Sequence, residues 1–477
     1  MRKPGIALAA VLACLFSGVA SASALPPIKH VWIVVLENKD FAKTFASDSK
    51  APYLAKTLPS QGQLLTQYYG TGHESLDNYI TMVSGQPPNP YTQADAPLYV
   101  DFAGTVGADG VAVGSGSVFP AEVKTVADQL EAKGLTWKGY MEDMANSPTE
   151  PKTCRHPALN TRDNSQSAKA DDQYATRHNP FVYFHSIIDR PICATNDVDL
   201  TELPNDLASA ATTPSYSFIT PDLCSDGHDA PCADGRPGGL ESINEFLKTT
   251  IPQITGSPAY ADGGLVIVTF DEADSDASDC CGEPTGPNTP NNGGPEPGNG
   301  GGRVGAVLIS PYVKQGSVNA TPYNHYSLLR STEDMFGLSH LAYAAQDGLK
   351  PFGDDVFNAP DGSGFAGGPG SGGSGAGSAG PKPKITVKGV PARGCVRRAF
   401  TARVKVSSKR LKRVTVMVDR HRIARNRSHG FRLKVGVSRL RAGKHRLTVR
   451  ASDKSNRAAR KTAVFRVCAA ARASLAG

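Results

Sequence analysis

The sequence predicts an α/β protein built on a doubly wound, mostly parallel sheet, followed by a separate all-β sandwich of immunoglobulin type. Two apolar runs, 28–36 and 264–270, are rich in β-branched residues and lack alternation, which is typical of parallel strands covered on both faces. Strand and helix patterns alternate between 28 and 340, as they do in sheets with helices on both sides. Beyond residue 384, short runs alternate apolar with polar residues between turns, which indicates antiparallel strands.

The chain of 477 residues divides by composition into four segments. Residues 1–24 have a basic start, a short apolar run and an Ala-Ser-Ala end, the pattern of a secretory signal peptide. The segment 25–358 carries the predicted α/β domain, and 359–381 is a Gly/Ser-rich linker. Residues 382–470 form the predicted β domain. We therefore expect an exported protein that is secreted to the extracellular space or held at the cell envelope.

Nine cysteines are present, and Cys14 lies inside the apolar run of the predicted signal peptide. The remaining eight are an even number, which in an exported protein indicates disulfide bonds. Cys395 and Cys468 bracket the C-terminal β domain, so we expect them to pair. The spacing leaves the other pairings open, and one set that would complete the framework is Cys154–Cys193, Cys224–Cys232 and a vicinal Cys280–Cys281 bridge.

The net charge of +7 conceals two segments of opposite charge. Residues 381–477 contain 29 Lys and Arg but only 2 Asp and Glu, so this segment carries +27 and the remainder carries −20. A basic surface attracts phospholipid, teichoic acid and nucleic acid alike. No aromatic-rich nucleic-acid motif is visible, so we expect no specific nucleic-acid partner. The β domain is expected to bind an anionic cell-envelope surface, and a solvated spacer without a partner is the alternative.

The stretch from Thr71 to Ile80 places a serine at the start of a helix. Leu76, Tyr79 and Ile80 follow Ser75 at helical spacing. Unpaired N–H groups and the positive end of the helix dipole favour an anion at such a position. Ser75 is therefore either a helix cap or a nucleophile that faces a bound phosphate.

Polar residues directly follow the two apolar strands, with Glu37-Asn38 after the first and Asp271-Glu272 after the second. Ligands of doubly wound sheets bind at the carboxyl edge of the strands, so we expect these side chains to meet there. Crowded carboxylates raise one another's pKa, and a divalent cation is the simplest means of neutralising them. Oxygen ligands favour Mg²⁺, Mn²⁺ or Ca²⁺, whereas nearby histidines leave Zn²⁺ open.

Seven motifs in this order resemble the bacterial phosphoesterase family. They are Glu37-Asn38-Lys-Asp-Phe, His73-Glu-Ser75-Leu-Asp-Asn78-Tyr, Tyr174-Ala-Thr-Arg-His178-Asn-Pro-Phe, Pro221-Asp-Leu-Cys-Ser-Asp-Gly-His228-Asp229, Thr-Phe-Asp271-Glu272, Gly302-Arg-Val-Gly and Asn324-His325-Tyr-Ser. That family contains secreted acid phosphatases, phosphatidylinositol phosphatases and phospholipases C, and it belongs to the alkaline-phosphatase-like superfamily. The resemblance covers about residues 28 to 340 and excludes the basic segment. It implies an alkaline-phosphatase-like catalytic domain.

The resemblance also implies a role for each motif residue. Ser75 would be the nucleophile and form a phosphoserine intermediate. The implied metal ligands are Glu37, Asn38, Ser75, Asp271 and Glu272. The implied catalytic residues beside the nucleophile are His228 and His325, and the implied substrate-binding residues are His73, Asn78, His178 and Asp229. Glu74 and Asp77 stand where relatives often have proline, which leaves the charge beside the nucleophile open.

Three functions remain open from the sequence. The first is a secreted, metal-dependent phosphomonoesterase of the acid phosphatase type, with phosphate esters as substrates and phosphoinositides or other phospholipids among the candidates. The second is a phosphodiesterase similar to phospholipase C, which uses the same nucleophile. The third is a non-enzymatic, envelope-binding protein that depends on the basic segment.

Overall fold

The computed structural model divides the chain into two compact units, residues 1–367 and 368–477. The residues that it describes are 25–294, 300–358, 384–391, 394–408, 411–418, 421–426, 428–437, 440–453 and 458–468. The predicted signal peptide, 1–24, and the predicted linker, 359–381, lie outside the described residues. The predicted domain limits therefore stay predictions.

The first unit mixes helices and strands, and the second contains strands. The α-helices are α1 (Phe41–Thr44), α2 (Leu58–Gln61), α3 (Ser75–Ser84), α4 (Val126–Ala132), α5 (His185–Ile188), α6 (Ile192–Asn196), α7 (Leu203–Asp206), α8 (Gly239–Thr255), α9 (Pro258–Ala261) and α10 (His325–Phe336). The strands of the first unit are β1 (His30–Leu36), β2 (Gln63–Leu65), β3 (Tyr68–Tyr69), β4 (Leu98–Tyr99), β5 (Ala103–Val106), β6 (Ala112–Ser115), β7 (Trp137–Met141), β8 (Thr161–Arg162), β9 (Asp197–Asp199), β10 (Tyr216–Thr220), β11 (Gly264–Phe270), β12 (Ala306–Ile309), β13 (Ser317–Asn319) and β14 (Tyr323–Asn324). The strands of the second unit are β15 (Lys384–Lys388), β16 (Phe400–Ser407), β17 (Leu411–Val418), β18 (His421–Asn426), β19 (Gly430–Val435), β20 (Gly443–Asp453) and β21 (Ala458–Val467).

Eight strands form the central sheet, in the order β13-β2-β12-β11-β1-β10-β7-β9. From β11 to β9 all neighbours are parallel. β12 runs antiparallel to both β11 and β2, and β13 is parallel to β2. The predicted α/β class with a mostly parallel sheet is therefore confirmed.

The central strands are buried along their whole length. Every residue of β1, β10 and β11 is buried, which explains why their sequences show no alternation. Their side chains belong to one continuous hydrophobic core, to which α3, α8 and α10 also contribute. Among the described residues, no helix combines the length and the apolar character that a bilayer span requires.

The second unit consists of two antiparallel sheets, β15-β16-β19 and β18-β17-β20-β21. Alternate residues of both sheets face a shared apolar core, which includes Val404, Val416 and Val449. The predicted all-β class of this region is confirmed, and the immunoglobulin type stays a prediction. The structure contains these disulfides: Cys154–Cys193, Cys224–Cys232, Cys280–Cys281 and Cys395–Cys468.

Asp355 connects the end of the first unit to the segment that leads from β13 into β14. One carboxylate oxygen accepts hydrogen bonds from Thr321 Oγ1 at 2.6 Å and from Tyr323 Oη at 2.8 Å, and Lys350 forms an ion pair with it. Burial acts to raise the pKa of Asp355, but the hydrogen bonds from Lys350, Thr321 and Tyr323 outweigh it and lower the pKa to about 2. The ionised carboxylate therefore stabilises the fold.

We expect Asp355→Asn to lower the free energy of unfolding by about 1 kcal/mol at pH 6. This value is smaller than the free energy that corresponds to the full pKa shift, because solvent screens the partly exposed carboxylate. A lowered pKa gives stability that is present above the ordinary value of 3.8 and is lost as the pH falls through about 2. The deficit should therefore shrink below pH 4. Urea unfolding between pH 6 and pH 2 measures it. Asp354→Asn, at the exposed neighbouring residue, is the control, and an equal deficit in both variants would contradict the role of Asp355.

Candidate active site

Two strand ends place Glu37 and Asp271 side by side. β1 and β11 are parallel neighbours, and Leu36 stands opposite Phe270 in their register. Glu37 therefore follows β1, and Asp271 follows β11 at the same level of the sheet. The backbone N–H of Asp271 donates to Leu36 O at 2.9 Å, and the backbone N–H of Asn38 donates to Asp271 Oδ1 at 3.0 Å. The sheet register thus sets the distance between the two carboxylates.

Asn38 connects this pair to Glu272. Its backbone lies in the left-handed region with φ 46°, where asparagine is among the few side chains that are tolerated. Its Nδ2 donates to Glu272 Oε1 at 2.8 Å. His73 Nδ1 lies 3.5 Å from the other oxygen, Glu272 Oε2. Asn38, Glu272 and His73 therefore form one side of the site.

Ser75 is the first residue of α3, and its hydroxyl points at Glu37. Ser75 Oγ donates to Glu37 Oε2 at 2.8 Å, and both residues are buried. The cap position belongs to Glu74, whose side chain makes no capping hydrogen bond. The hydroxyl therefore belongs to the carboxylate cluster, and capping does not explain its position. Partial burial of the carboxyl group, followed by the charge of Asp95, raises the pKa of Glu74 to about 7.

Asn78 shapes the loop that precedes α3. Its Oδ1 accepts from the backbone N–H of Thr71 at 2.8 Å and of Gly72 at 3.1 Å, and its Nδ2 donates to the carbonyls of Gly72 and Glu74, each at 2.9 Å. All four of these hydrogen bonds connect the amide to the loop. Asn78 therefore influences Ser75 by fixing the conformation of the loop that precedes it. Gly72 is required here, because an added Cβ would lie 2.2 Å from Asp77 Oδ1.

The carboxylates buried at this edge include those of Glu37, Asp226, Asp271 and Glu272. Burial raises the pKa of Glu37 well above its ordinary value, and the charges of Asp271 and Asp226 raise it further. Asp271 Oδ2 and Glu272 Oε2 have no hydrogen-bond partner. Buried carboxylates without counter-charge are costly, and a divalent cation would satisfy both unpartnered oxygens and relieve the repulsion. The residues present therefore fit the metal that the sequence predicts.

His178 lies beneath Glu37 rather than in an open cleft, with 1% of its surface exposed. Its Nδ1 is 3.1 Å from Asp226 Oδ2, and its Nε2, which lacks a hydrogen-bond partner, is 3.5 Å from Glu37 Oε1. Tyr79 stacks on the ring at 5.3 Å and donates to Glu37 Oε1 at 2.6 Å. Burial lowers the pKa of His178 well below its ordinary value, and the charges of Arg177 and His228 lower it further. Ligand atoms of Glu37, His178 and Asp226 lie within 4.8 Å of one another, which suits a cation.

His228 is connected to the start of α3 through Arg177 and Asp95. His228 Nδ1 is 2.7 Å from Asp229 Oδ1, and His228 Nε2 is 3.2 Å from Arg177 Nη2. Arg177 Nε lies 3.4 Å from Asp95 Oδ2, and Asp95 Oδ1 accepts from the N–H of Leu76 at 2.9 Å. Asp229 therefore orients His228, whose side chain is one third exposed at 33%.

His325 begins α10 and is completely buried. Its Nε2 is 2.5 Å from the backbone carbonyl of Asp271, and its Nδ1 is 3.0 Å from Tyr68 Oη. Burial lowers the pKa of His325 to about 4. Because protein atoms contact both ring nitrogens, the ring is suited to positioning Asp271 through its backbone carbonyl. The predicted catalytic role of His325 stays a prediction. Its contacts suit a residue that positions Asp271.

The structure brings most of the predicted site residues together at one sheet edge: Glu37, Asn38, His73, Ser75, Asp271 and Glu272, with His178, His228 and Asp229 beside them. Asn78 and His325 lie behind this cluster. Sequence reasoning assigned no role to Tyr79, Asp95 and Arg177, and it left Asp226 open between a ligand and a turn residue. Tyr79 carried a signal, because it follows Ser75 by four residues and so shares its helix face. Arg177 and Asp226 stood inside quoted motifs, whereas nothing marked Asp95.

Ser75 lies at the start of a helix, among buried carboxylates at the carboxyl edge of an α/β sheet. This combination is typical of proteins that bind phosphate groups and react with them. The chain belongs to the Phosphoesterase family, whose model matches residues 46–339. The predicted family is thereby confirmed. The bacterial origin that the resemblance implied stays a prediction, since the relatives include both fungal and bacterial proteins.

Several known proteins are similar to this chain. A probable acid phosphatase from Kluyveromyces lactis is 25% identical over 316 residues, which cover 66% of this chain and 59% of the relative. The phosphatidylinositol-3-phosphatase of Mycobacterium tuberculosis is 24% identical over 324 residues, 68% of this chain and 82% of the relative. A solved protein of the alkaline phosphatase superfamily from Vibrio parahaemolyticus is 11% identical with a TM-score of 0.39, covering 93% of this chain and 84% of that chain. The chain spans about three fifths of the length of the acid phosphatases first matched.

Adding Mg²⁺ or Mn²⁺ to chelator-treated protein should raise the unfolding midpoint, because the cation binds the folded carboxylate cluster. At a hundredfold excess over Kd, the gain is about 2.7 kcal/mol. The double variant Asp271→Asn/Glu272→Gln should lose this response and should be at least as stable as the parent in chelator, since two buried charges are gone. Thermal unfolding with and without cation measures both. Asp354→Asn should retain the response, and a double variant that still responds would contradict the site.

Proposed function

We propose that the chain is an exported, metal-dependent phosphomonoesterase of the acid phosphatase type that acts through Ser75. The observation that carries the proposal is the 2.8 Å hydrogen bond from Ser75 Oγ to Glu37, beside the unpartnered oxygens of Asp271 and Glu272. The family and the names of the acid phosphatase relatives support it. The signal-like start of the sequence and the disulfides support export.

The metal would be held by the residues at the sheet edge: Glu37, Asn38, Ser75, Asp271 and Glu272, with His178 and Asp226 next to them. A divalent cation bound there supplies positive charge that neutralises the carboxylates and the phosphate and favours the ionised serine. The oxygen-rich donor set favours Mg²⁺, Mn²⁺ or Ca²⁺ over Zn²⁺, although His178 adds one nitrogen.

In the proposed reaction, Ser75 Oγ attacks the phosphorus and forms a phosphoserine. Glu37 Oε2 accepts the hydroxyl hydrogen bond and is placed to take the proton. The bond between phosphorus and the leaving oxygen breaks, and the leaving alkoxide takes a proton from the imidazolium form of His228, which Asp229 stabilises. This step requires Arg177 Nη2 to move away from His228 Nε2. Water then cleaves the phosphoserine, restores the hydroxyl and releases phosphate. In this proposal His73 binds phosphoryl oxygens, while Asn78 and His325 act as positioning residues.

The substrate class is a phosphate monoester. The name of the mycobacterial relative, a phosphatidylinositol-3-phosphatase, adds phosphoinositides to the candidate substrates. A monoester phosphate carries more negative charge than a diester, which suits a site that a divalent cation and a helix N-terminus make positive.

Ser75→Ala should lower kcat/KM for p-nitrophenyl phosphate by at least about 1000-fold, because the nucleophile is removed. Denaturing the unmodified enzyme during turnover should leave phosphate on the peptide that contains Ser75. Ser60→Ala, at an exposed serine, is the matched control and should retain activity. Ser75→Ala protein that still hydrolyses the ester, while unfolding at the parent's midpoint, would contradict the nucleophile.

The unmodified enzyme should hydrolyse p-nitrophenyl phosphate at least about tenfold faster than p-nitrophenylphosphorylcholine, since the diester lacks one negative charge. Comparing kcat/KM for the two esters across pH, with and without chelator, measures the preference. Faster turnover of the diester would favour the phospholipase C-like alternative. Turnover of neither, with any of the divalent cations, would favour the non-enzymatic alternative.

A further inference from the structure

The three-stranded sheet of the second unit presents a dense array of cations on one face. Its inward residues, such as Val404 and Val406, are buried in the core, so the alternate residues point outward. The outward residues on this face include six exposed cations: Lys384, Lys388, Arg403, Lys405, Arg432 and Lys434. We call these six residues the basic sheet face.

The strand register aligns like charges directly across the basic sheet face. Lys388 of β15 stands opposite Arg403 of β16, and Arg403 stands opposite Arg432 of β19. Side chains directly opposite have Cβ atoms about 5 Å apart, and like charges there destabilise a sheet. In the part of the chain that the structure describes, no carboxylate pairs with any of the six residues. The fold therefore maintains a repulsive array that an external anion would relieve.

The neutralising acids are missing for a reason visible in the sequence. Between 381 and 477 the only acids are Asp419 and Asp453. Asp453 ends β20 in the other sheet, and Asp419 lies outside the described residues. The basic sheet face therefore owes its charge to the absence of acids on its own three strands.

The other sheet of the unit also carries cations, and uncharged and apolar residues interrupt them. Lys444 stands opposite Arg466, whereas Arg450 stands opposite Thr415 and Arg446 stands opposite Val464. Val464 is 49% exposed there. The basic sheet face differs in that its described outward residues include no exposed large apolar side chain.

We propose that the basic sheet face docks the protein on an anionic phospholipid bilayer. The array extends in two dimensions, about 5 Å across strands and about 7 Å between outward residues along a strand, and matches a plane of phosphate groups. Single-stranded nucleic acid is bound by stacking on aromatic side chains, and the described outward residues between the cations are small and polar, such as Thr386, Thr401 and Ser407. The proposal concerns the second unit and does not depend on the proposed activity.

The full chain should bind vesicles of phosphatidylcholine with phosphatidylserine and not vesicles of phosphatidylcholine alone. The triple variant Lys388→Gln/Arg403→Gln/Arg432→Gln should lower the partition coefficient by about 100-fold, from roughly fivefold per cation near an anionic surface. The matched control, Arg413→Gln/Arg450→Gln/Arg466→Gln, removes the same charge from the other sheet. It should lower the coefficient by less than about tenfold. Vesicle sedimentation at physiological ionic strength measures all three proteins.

Equal losses in the two triple variants would overturn the proposal, because binding would then follow net charge. Absence of binding to the anionic vesicles, or tighter binding to DNA or teichoic acid than to the vesicles, would also overturn it. Thermal unfolding checks the fold, and the midpoint of the face variant should equal or exceed that of the parent because opposed like charges are removed. A salt titration of the unmodified protein gives a second readout, and affinity that did not fall with salt would contradict docking by charge.

Discussion

Repulsion among buried carboxylates is the constraint on which the first unit depends. Glu37, Asp226, Asp271 and Glu272 are all buried at one sheet edge, and burial raises the pKa of each of them. Such a cluster persists only when protons or a cation neutralise it. The surrounding residues hold the carboxylates in place without neutralising them, since most of their contacts are hydrogen bonds from neutral donors such as Tyr79 and Asn38. The carboxylate cluster therefore needs positive charge, from protons or from a bound cation, to be stable in the folded protein.

The sheet topology creates this crowding. β1 lies between β10 and β11, so the segments that leave all three strands meet at one edge. The backbone N–H of Glu37 donates to Asp226 O, and that of Asp271 donates to Leu36 O, so the ladder continues past the ends of the strands. Backbone hydrogen bonding therefore forces three acidic segments together. The loop held by Asn78 then places the start of α3 against them.

The sequence predicted the parts of the site that follow directly from strand ends and helix starts. Unbroken apolar strands identified Glu37 and Asp271, and helical spacing identified Ser75. Residues on irregular segments were harder, because no periodicity connects Asp95 or Arg177 to the nucleophile. The catalytic role of His325 came from the family resemblance. A histidine in a motif does not show which atoms its ring nitrogens will contact, so the sequence could not distinguish a catalytic residue from a positioning residue. In the second unit, alternation predicted the strands, but only the register showed that cations stand opposite one another.

Asn38 illustrates how several demands converge on one position. Its left-handed backbone favours Gly, Asn or Asp. Glycine would leave Glu272 Oε1 without its donor, and aspartate would add another carboxylate to an already crowded edge. The backbone conformation disfavours most side chains, the hydrogen bond to Glu272 excludes glycine, and the surrounding charge excludes aspartate. Of the three residues that this backbone favours, asparagine is the one that meets every requirement. Mutational tolerance at this residue should accordingly be among the narrowest in the chain, although its side chain neither attacks nor transfers a proton.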